Sequence, residues 1–222
     1  MVLKIRIKRQ KPGEKPTFES YEVPASEGMT LLDVLNFVRD EIDPTLTVRQ
    51  FCRAGICGTC GVNVNGFPKL ICKEQAMPYA LLKREVTFEP INLPTIKDLV
   101  VDPSDQIKKL KSMALWIKEV ANNIPLEPEK SKEVEESADC ILCFACQSYC
   151  PQILDESYLG PLFFAKLFRF SSDPRDNNQQ KRVEQSIQGG LYRCLSCNKC
   201  NNVCPKEVRP ASLIRSLMQK PA

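Results

Sequence analysis

Two segments near the N-terminus alternate apolar and polar residues, as half-buried strands do. Residues 2–8 alternate apolar with basic side chains, and residues 18–23 alternate again. Thr30 then precedes LLDVLNFVRDEI, whose apolar residues recur at helical spacing. We therefore predict two strands followed by a helix that begins at Thr30 as its N-cap.

A tight turn and a later strand complete the first half of the chain. Asn65-Gly66 lies between two short apolar runs and predicts a β-hairpin. Residues 84–88 predict a last strand. Strands and a helix in this order predict a β-grasp domain over residues 1–95.

The second half has helical periodicity and follows a linker marked by Pro90 and Pro94. An amphipathic segment, SDQIKKLKSMALWIKEVANN, begins at Ser104 and precedes a proline-containing stretch. We predict a mostly α domain over residues 96–222, which makes the fold class α+β. Its further helices are expected in SKEVEESADC from Ser131 and at residues 162–170, 180–188 and 210–218.

Two apolar features of this second domain are interpreted as core. Trp116 shares an apolar stripe with Ile107, Leu110 and Met113. Residues 158–170 form the most apolar stretch, but it is about 13 residues long, contains two basic residues and is too short to span a bilayer. We expect its LFFAKLF segment to pack inside the domain; contact with a partner or a membrane is the alternative.

Charge and composition exclude several functions. A net charge of +4 without a lysine/arginine tract does not indicate nucleic acid binding. The chain has no histidine, which excludes histidine-ligated haem, Rieske ligation and histidine acid–base catalysis. No G-x-G-x-x-G or Walker A loop is present. MVLKIRIKRQ does not resemble a signal peptide, so we expect a cytoplasmic protein that reaches the inner face of the membrane only through partners.

The twelve cysteines fall into three groups of four, at residues 52–72, 140–150 and 194–204. Cysteines in a reducing compartment are rarely disulfides, so these groups indicate metal ligands. The first group, Cys52-x4-Cys57-x2-Cys60 followed by Cys72, has the plant-type spacing of a [2Fe–2S] site. Three glycines in the loop let backbone N–H groups approach the sulfurs. A four-cysteine zinc site is the alternative.

The second and third groups repeat one pattern, C-x2-C-x2-C-x3-C-P, which is the bacterial ferredoxin run. In two-cluster ferredoxins the fourth cysteine of each run ligates the other cluster. We therefore predict two cubane clusters with crossed ligands; zinc is again the alternative. One ligand set is Cys140, Cys143, Cys146 and Cys204. The other is Cys150, Cys194, Cys197 and Cys200.

These residues resemble the iron–sulfur subunits of the succinate dehydrogenase/fumarate reductase family over nearly the whole chain. The resemblance rests on FCRAGICGTCGVNVNG, on CILCFACQSYCP, on YLGP at 158–161 and on SSDPRD at 171–176. It implies the electron-transfer subunit of a respiratory oxidoreductase complex linked to the tricarboxylic acid cycle, with no substrate site of its own. It also implies a FAD-bearing catalytic subunit at the β-grasp domain and a quinone-reactive membrane anchor at the helical domain.

The third cluster departs from the common family pattern. Most family members lack the second cysteine of the last run and hold a [3Fe–4S] cluster on residues that map to Cys150, Cys194 and Cys200. Here Cys197 supplies a fourth thiolate, so we predict a [4Fe–4S] cluster. The alternative is a [3Fe–4S] cluster with Cys197 as a bystander thiol.

The family's quinone-site residues are also missing. Many succinate dehydrogenases have a tryptophan pair after the proline of the first run and a histidine after the first cysteine of the last run. Here QILDESYLGP follows Pro151, and Leu195 follows Cys194. This resembles members whose partners include cysteine-rich subunits or thiol donors instead of a conventional quinone anchor.

Three functions are compatible with these patterns. The first is the electron-transfer subunit of a fumarate reductase or succinate dehydrogenase. The second is a similar subunit of another flavoprotein oxidoreductase, with a thiol/disulfide or low-potential donor. The third is a protein that uses its clusters structurally, as some nucleic-acid enzymes do; three clusters in sequence and a near-neutral charge argue against it. The direction of electron flow depends on potentials, which cysteine spacing does not set.

Overall fold

The chain divides after Pro103 in the computed structural model, which describes residues 1–117 and 127–221. The two units are Met1–Pro103 and Ser104–Ala222. The division was predicted near residue 95, whereas the structure includes a further hairpin in the first unit. This hairpin belongs to the first unit because hydrogen bonds to Asp98, which it carries, join it to the N-terminal strand.

Strands β1, Val2–Arg9, and β2, Thr17–Pro24, confirm the two strands predicted from alternation. They pair antiparallel along their whole length. Alternate side chains of β1 are buried because one face of the sheet covers the core. The buried apolar residues of β1 are Leu3, Ile5 and Ile7.

The later strands place the predicted hairpin inside a mixed sheet. β3 is Gly61–Val64, β4 is Phe67–Leu70 and β5 is Val86–Pro90. Asn65 and Gly66 have φ of 51° and 82°, the left-handed conformation that a two-residue hairpin turn requires. The strand order is β2-β1-β5-β3-β4, with β1 and β5 parallel. This topology confirms the predicted β-grasp arrangement.

Helix α1, Leu31–Phe37, begins at the predicted cap and continues as a π turn over Val38–Ile42. The Thr30 hydroxyl accepts from the Asp33 N–H at 3.2 Å, and the Asp33 carboxylate accepts from the Thr30 N–H at 3.0 Å. This reciprocal capping box satisfies two N–H groups that the helix itself leaves unpaired. A short helix α2, Met77–Leu81, follows β4.

A two-stranded sheet, β6 at Thr95–Lys97 and β7 at Val100–Val101, was not predicted from the sequence. Asp98, between the two strands, is 1% exposed. Its carboxylate accepts from Arg9 Nε at 3.1 Å, from the Gln10 N–H at 3.1 Å and from the Thr47 N–H at 2.9 Å. These bonds hold the hairpin in the first unit because a buried carboxylate must keep its donors.

The second unit is helical over its described residues, as predicted. The helices are α3 Ser104–Ser112, α4 Pro128–Ala138, α5 Ala145–Ser148, α6 Pro161–Ser171, α7 Gln179–Gln188, α8 Lys199–Asn202 and α9 Pro210–Met218. Helices α6, α7 and α9 confirm the three later predicted helices within one or two residues, and α4 begins before the predicted Ser131. A 3₁₀ turn covers Leu191–Arg193.

Helix α6 supplies the centre of this unit's core. Its residues Phe163, Phe164 and Leu167 are fully buried. Phe164 and Leu167 belong to a core cluster that also includes residues of α7 and α9. The prediction that LFFAKLF packs inside the domain is confirmed. Within residues 1–117 and 127–221, no helix is long and apolar enough to cross a membrane.

The predicted helix from Ser104 is shorter than expected. It ends at Ser112, and Ala114 has a φ of 49°, which a helix interior does not allow. Trp116 is 48% exposed and Ile107 is 40% exposed, so their assignment to the core is wrong. The remainder of the predicted helix, residues 118–123, lies outside the described residues.

Candidate metal centres

The first cysteine group lies on a loop that the hairpin closes. Cys52 and Cys57 lie before β3, Cys60 immediately precedes it, and Cys72 follows β4. The hairpin returns Cys72 to the loop, where the Gly55 N–H donates to the Cys72 Sγ at 3.2 Å. The structure thus brings the distant fourth cysteine to the other three.

Backbone N–H groups converge on the Cys52 sulfur. Ala54 and Ile56 each donate to its Sγ at 3.4 Å, and Cys57 donates at 3.3 Å. These donors lower the pKa of Cys52 to about 6, because N–H groups stabilise the thiolate. The loop is therefore already arranged for a thiolate at this position.

Cys60 has the opposite environment. Burial, together with the neighbouring sulfurs of Cys72 and Cys57, raises its pKa to about 12. A cluster of buried thiols is costly to ionise unless a cation neutralises them. Iron would supply that neutralisation, so the donor set fits a cluster held by thiolates.

Gly55 leaves the space that the loop needs. A Cβ built at Gly55 would lie 2.3 Å from the Lys73 Cδ, and the residue has a φ of +67°. Both facts favour glycine, because a side chain would clash and the left-handed backbone would be strained. The glycine therefore allows the loop to pass close to Lys73, the residue after Cys72.

The second and third cysteine groups have the same backbone. In the first run Leu142 and Phe144 have φ of 56° and 61°. At the matching positions of the second run, Ser196 and Asn198 have φ of 52° and 57°. Left-handed non-glycine residues are uncommon, so the repetition of both positions marks a structural duplication. A four-residue helix, α5 or α8, follows each pair.

One cavity is lined by the first three cysteines of the first run and the last cysteine of the second. These residues are Cys140, Cys143, Cys146 and Cys204. Burial, together with the neighbouring sulfurs of Cys140 and Cys204, raises the pKa of Cys143 to about 11. Burial also raises the pKa of Cys146, and the neighbouring sulfurs, Cys143 first among them, act in the same direction.

A second cavity has the complementary lining. Its cysteines are Cys150, Cys194, Cys197 and Cys200. Burial, together with the sulfurs of the other three, raises the pKa of Cys200 to about 12. Cys197 is the exposed member of this set. The structure therefore places Cys197 with the other three sulfurs, and it exchanges the fourth cysteines between the two runs.

The two cubane cavities meet the chemical requirement of an iron–sulfur cluster, namely four thiols around one space. Zinc in a structural site instead gathers four ligands around one ion. No group of three or more Cys, Asp or Glu side chains arranged for a single metal ion is found among residues 1–117 and 127–221.

Two polar residues beside the cysteines were not predicted from the sequence. The Thr59 hydroxyl oxygen lies 2.6 Å from the Cys57 Sγ. The signal was a hydroxyl residue directly before the third cysteine of the loop. Tyr158 lines the second cubane cavity and is 3% exposed. It lies in the YLGP segment at 158–161. This segment contributed to the family resemblance, but no function was predicted for its tyrosine.

The fold and these sites define a two-domain iron–sulfur protein, and comparison with protein families agrees. The family described as a 2Fe-2S iron-sulfur cluster binding domain matches residues 4–108. The family described as a 4Fe-4S dicluster domain matches residues 136–208. The predicted [2Fe–2S] and [4Fe–4S] cofactor types are confirmed by these matches.

Two relatives identify the subunit. A protein of Mycobacterium tuberculosis named "Fumarate reductase iron-sulfur subunit" is 36% identical, over 97% of this chain and 90% of its own length. A subunit of a "Fumarate reductase (CoM/CoB)" of Methanothermobacter marburgensis is 37% identical over 97% of this chain. The chain spans only 44% of that second protein. The chain belongs to the family of iron–sulfur subunits of fumarate reductase and succinate dehydrogenase, which transfer electrons within oxidoreductase complexes.

A solved structure agrees on the fold. A chain of the "Mycobacterium smegmatis Sdh1 complex in the apo form" superposes with a TM-score of 0.86. The match covers 98% of this chain and 94% of the other, at 24% identity. The similarity supports the arrangement of a β-grasp domain followed by a helical ferredoxin-like domain.

Proposed function

We propose that this chain transfers electrons through three clusters whose ligands are its twelve cysteines. Clusters of this kind exchange single electrons when bound, and their potentials are set by their surroundings. The [2Fe–2S] ligands are Cys52, Cys57, Cys60 and Cys72. The [4Fe–4S] ligands are Cys140, Cys143, Cys146 and Cys204. The ligands of the third cluster are Cys150, Cys194, Cys197 and Cys200.

The crossed lining of the two cubane cavities carries this proposal. Each cavity takes three cysteines from one run and one from the other. A disulfide framework or two independent zinc sites would not need this exchange. It is the arrangement of a two-cluster ferredoxin, in which both cavities belong to one folded unit.

The third cluster is proposed to be [4Fe–4S], with [3Fe–4S] as the alternative. Cys197 occupies the position in the last run that Cys143 occupies in the first, with the same left-handed neighbour after it. Each cavity is also lined by four cysteines. The repeated backbone and the equal number of thiols support equal nuclearity.

The partners are proposed to be a FAD-containing catalytic subunit and a second electron-transfer subunit. The [2Fe–2S] loop exposes two apolar side chains beside its first cysteines, Phe51 at 82% and Ile56 at 62%. Exposed apolar residues beside a redox centre suit a protein contact. We assign the flavoprotein to this loop.

The other end of the chain is proposed to meet a membrane anchor, quinone-linked or not, or a cysteine-rich electron donor or acceptor. Leu195, next to Cys194, is 59% exposed. Contact through this side chain would place the chain at the inner face of the cytoplasmic membrane through its partner.

The test is purification of the intact complex without oxygen, followed by a redox titration monitored by EPR. We expect three reversible clusters, covalently bound flavin in a co-purifying subunit and no stoichiometric [3Fe–4S] signal in the oxidised state. Clusters that are not reduced reversibly would instead indicate a structural role, and absence of a flavoprotein would contradict the proposed complex.

A second candidate is the same subunit coupled to a thiol/disulfide or low-potential donor. The similarity to a relative whose name includes CoM/CoB favours it, together with the exposed position of Cys197. Reduction of the third cluster by a dithiol donor, but not by a quinol, would select this candidate. Reduction by a quinol alone would exclude it.

A further inference from the structure

A buried tyrosine lies at the third cavity. Tyr158 lines the space shared by Cys150 and Cys194, and it is 3% exposed. Its ring packs against Phe164, with 5.3 Å between the ring centroids. A buried tyrosine hydroxyl normally has a hydrogen-bond partner, because leaving it unpaired is costly.

The segment that carries Tyr158 is held by a buried glutamine. Gln147, in the first cysteine run, is 1% exposed. Its side-chain amide donates to the Leu159 carbonyl at 2.8 Å and accepts from the Leu162 N–H at 3.2 Å. The amide fills the space beside Gly160, where a Cβ would lie 2.3 Å from the Gln147 Nε2. The two hydrogen bonds between the Gln147 amide and the backbone of Leu159 and Leu162 thus fix the turn after Tyr158.

The backbone before the turn is fixed as well. The Tyr158 N–H donates to the Asp155 carbonyl, and the Leu159 N–H donates to the Gly189 carbonyl, both at 2.9 Å. The tyrosine ring is therefore positioned by main-chain bonds and by Phe164, independently of any group in the cavity. Such a fixed side chain can orient a hydroxyl toward the ligands before they bind iron.

The surroundings of the hydroxyl favour its role as a donor. Cys150 and Cys194 line the same cavity as the tyrosine. A phenol O–H donates hydrogen bonds, and a cysteine sulfur accepts them. The Tyr158 hydroxyl is therefore suited to donate to these two ligands when they are thiolates.

Among the described residues, none that lines the other cubane cavity carries a hydroxyl group. Apart from its cysteines and Lys206, the described residues that line it carry apolar side chains. They are Ile141, Leu162, Ala165, Pro205, Val208 and Pro210. The duplicated backbone therefore surrounds two cavities with different polar contacts.

We propose that Tyr158 is a positioning residue of the third cluster, whose hydroxyl donates a hydrogen bond to the thiolate ligands Cys150 and Cys194 and raises the cluster's reduction potential. The inference rests on the proposed ligand set. Donors to cysteine sulfur stabilise the reduced state, which carries one more negative charge. One electron enters on reduction, no bond breaks, and Tyr158 keeps its proton.

The test compares Tyr158→Phe with Tyr192→Phe in the intact complex purified without oxygen. Phe keeps the ring of Tyr158 and removes only the hydroxyl, while Tyr192 is 63% exposed and lies outside the cavity lining. We expect Y158F to move the third cluster to a lower potential in an EPR-monitored titration. The other two clusters serve as internal references and should keep their potentials, and Y192F should change none of the three.

An unchanged third cluster in Y158F, or an equal shift of all three clusters, would overturn the inference while leaving the three-cluster proposal intact. A second measurement does not need the variant to fold. The wild-type complex, exchanged into deuterium oxide, should show an exchangeable proton coupled to the third cluster by ENDOR. Absence of that coupling would also overturn the inference, and absence of a third cluster in the wild type would overturn both proposals.

Discussion

The side-chain amides of Asn36 and Gln50 form two hydrogen bonds with each other. Asn36 Nδ2 donates to Gln50 Oε1 at 3.2 Å, and Gln50 Nε2 donates to Asn36 Oδ1 at 3.1 Å. Asn36 is 6% exposed on helix α1, and Gln50 lies two residues before Cys52. The helix therefore holds the start of the [2Fe–2S] loop through a buried polar pair.

Replacing Asn36 with Leu should weaken this loop, because the Gln50 amide would lose its partner. We expect the free energy of unfolding to fall by about 1–3 kcal/mol and the [2Fe–2S] absorption to decay faster under a chelator. The control is Asn36→Leu with Gln50→Leu, in which both polar groups are removed. If the single variant keeps the cluster as long as the wild type does, the amide pair has no role in the loop.

The hydroxyl of Thr59 should raise the potential of the [2Fe–2S] cluster, because it lies 2.6 Å from the Cys57 Sγ. Thr59→Val removes the hydroxyl and keeps the shape of the side chain. A net hydrogen bond of about 1 kcal/mol corresponds to a decrease of roughly 40 mV for one electron. EPR-monitored titration measures it. Thr59→Ser should restore the potential, and a serine variant that behaves like valine would contradict the explanation.

Removing Cys197 should change the third cluster and spare the other two. In Cys197→Ala the cavity keeps Cys150, Cys194 and Cys200, which is the ligand set of a [3Fe–4S] cluster. We expect the oxidised variant to gain an EPR signal of that cluster type that the wild type lacks. Ser196→Ala, one residue away, is the control and should gain no signal. A wild type that already has the signal would show that Cys197 is not a ligand.

Arg182 should be among the costliest charged residues to replace. It is 2% exposed, it pairs with the buried Asp176 at 3.2 Å, and it donates to the carbonyls of Met113 and Trp116 at 3.1 and 3.0 Å. Arg182→Met leaves Asp176 buried without its partner, which costs about 3–5 kcal/mol.

Urea unfolding without oxygen measures this loss. The control is Lys108→Met, because Lys108 pairs with Asp105 on the exposed surface and such pairs contribute about 0–1 kcal/mol. Similar urea midpoints for Arg182→Met and Lys108→Met would show that the buried Arg182–Asp176 pair contributes no more to stability than the exposed pair.

Local patterns predicted the elements of this fold well. The Asn65-Gly66 turn, the Thr30 cap and the alternation of β1 depend on residues close together in the chain, so their sequence is sufficient. The cysteine runs also carry their spacing within a few residues. The crossed lining of the two cubane cavities was predictable because the second run repeats the first.

Long-range partners were not predictable. Arg9 interrupts the alternation of β1, because it is a charged residue at a position on the buried face of the strand. Its partner there, Asp98, comes from a part of the chain 89 residues away. Trp116 fits an apolar stripe, but the helix ends at Ser112 before the stripe is complete. The Tyr158 site depends on Gln147, whose amide has no sequence signal. The contacts of Arg9 with Asp98, and of Gln147 with the segment that carries Tyr158, join residues that no local pattern relates.

The exchange of Cys150 and Cys204 between the two cavities has a consequence for biosynthesis. A nascent chain that has emerged through Cys150 has only three ligands for the first cubane and one for the second. On the proposed ligand sets, the second centre lacks ligands until Cys200 has been synthesised, and the first lacks its fourth ligand until Cys204 has been. A product that ends before Cys194 would therefore lose both cubanes at once, whereas one that ends between Cys200 and Cys204 would lack a ligand of the first cubane alone.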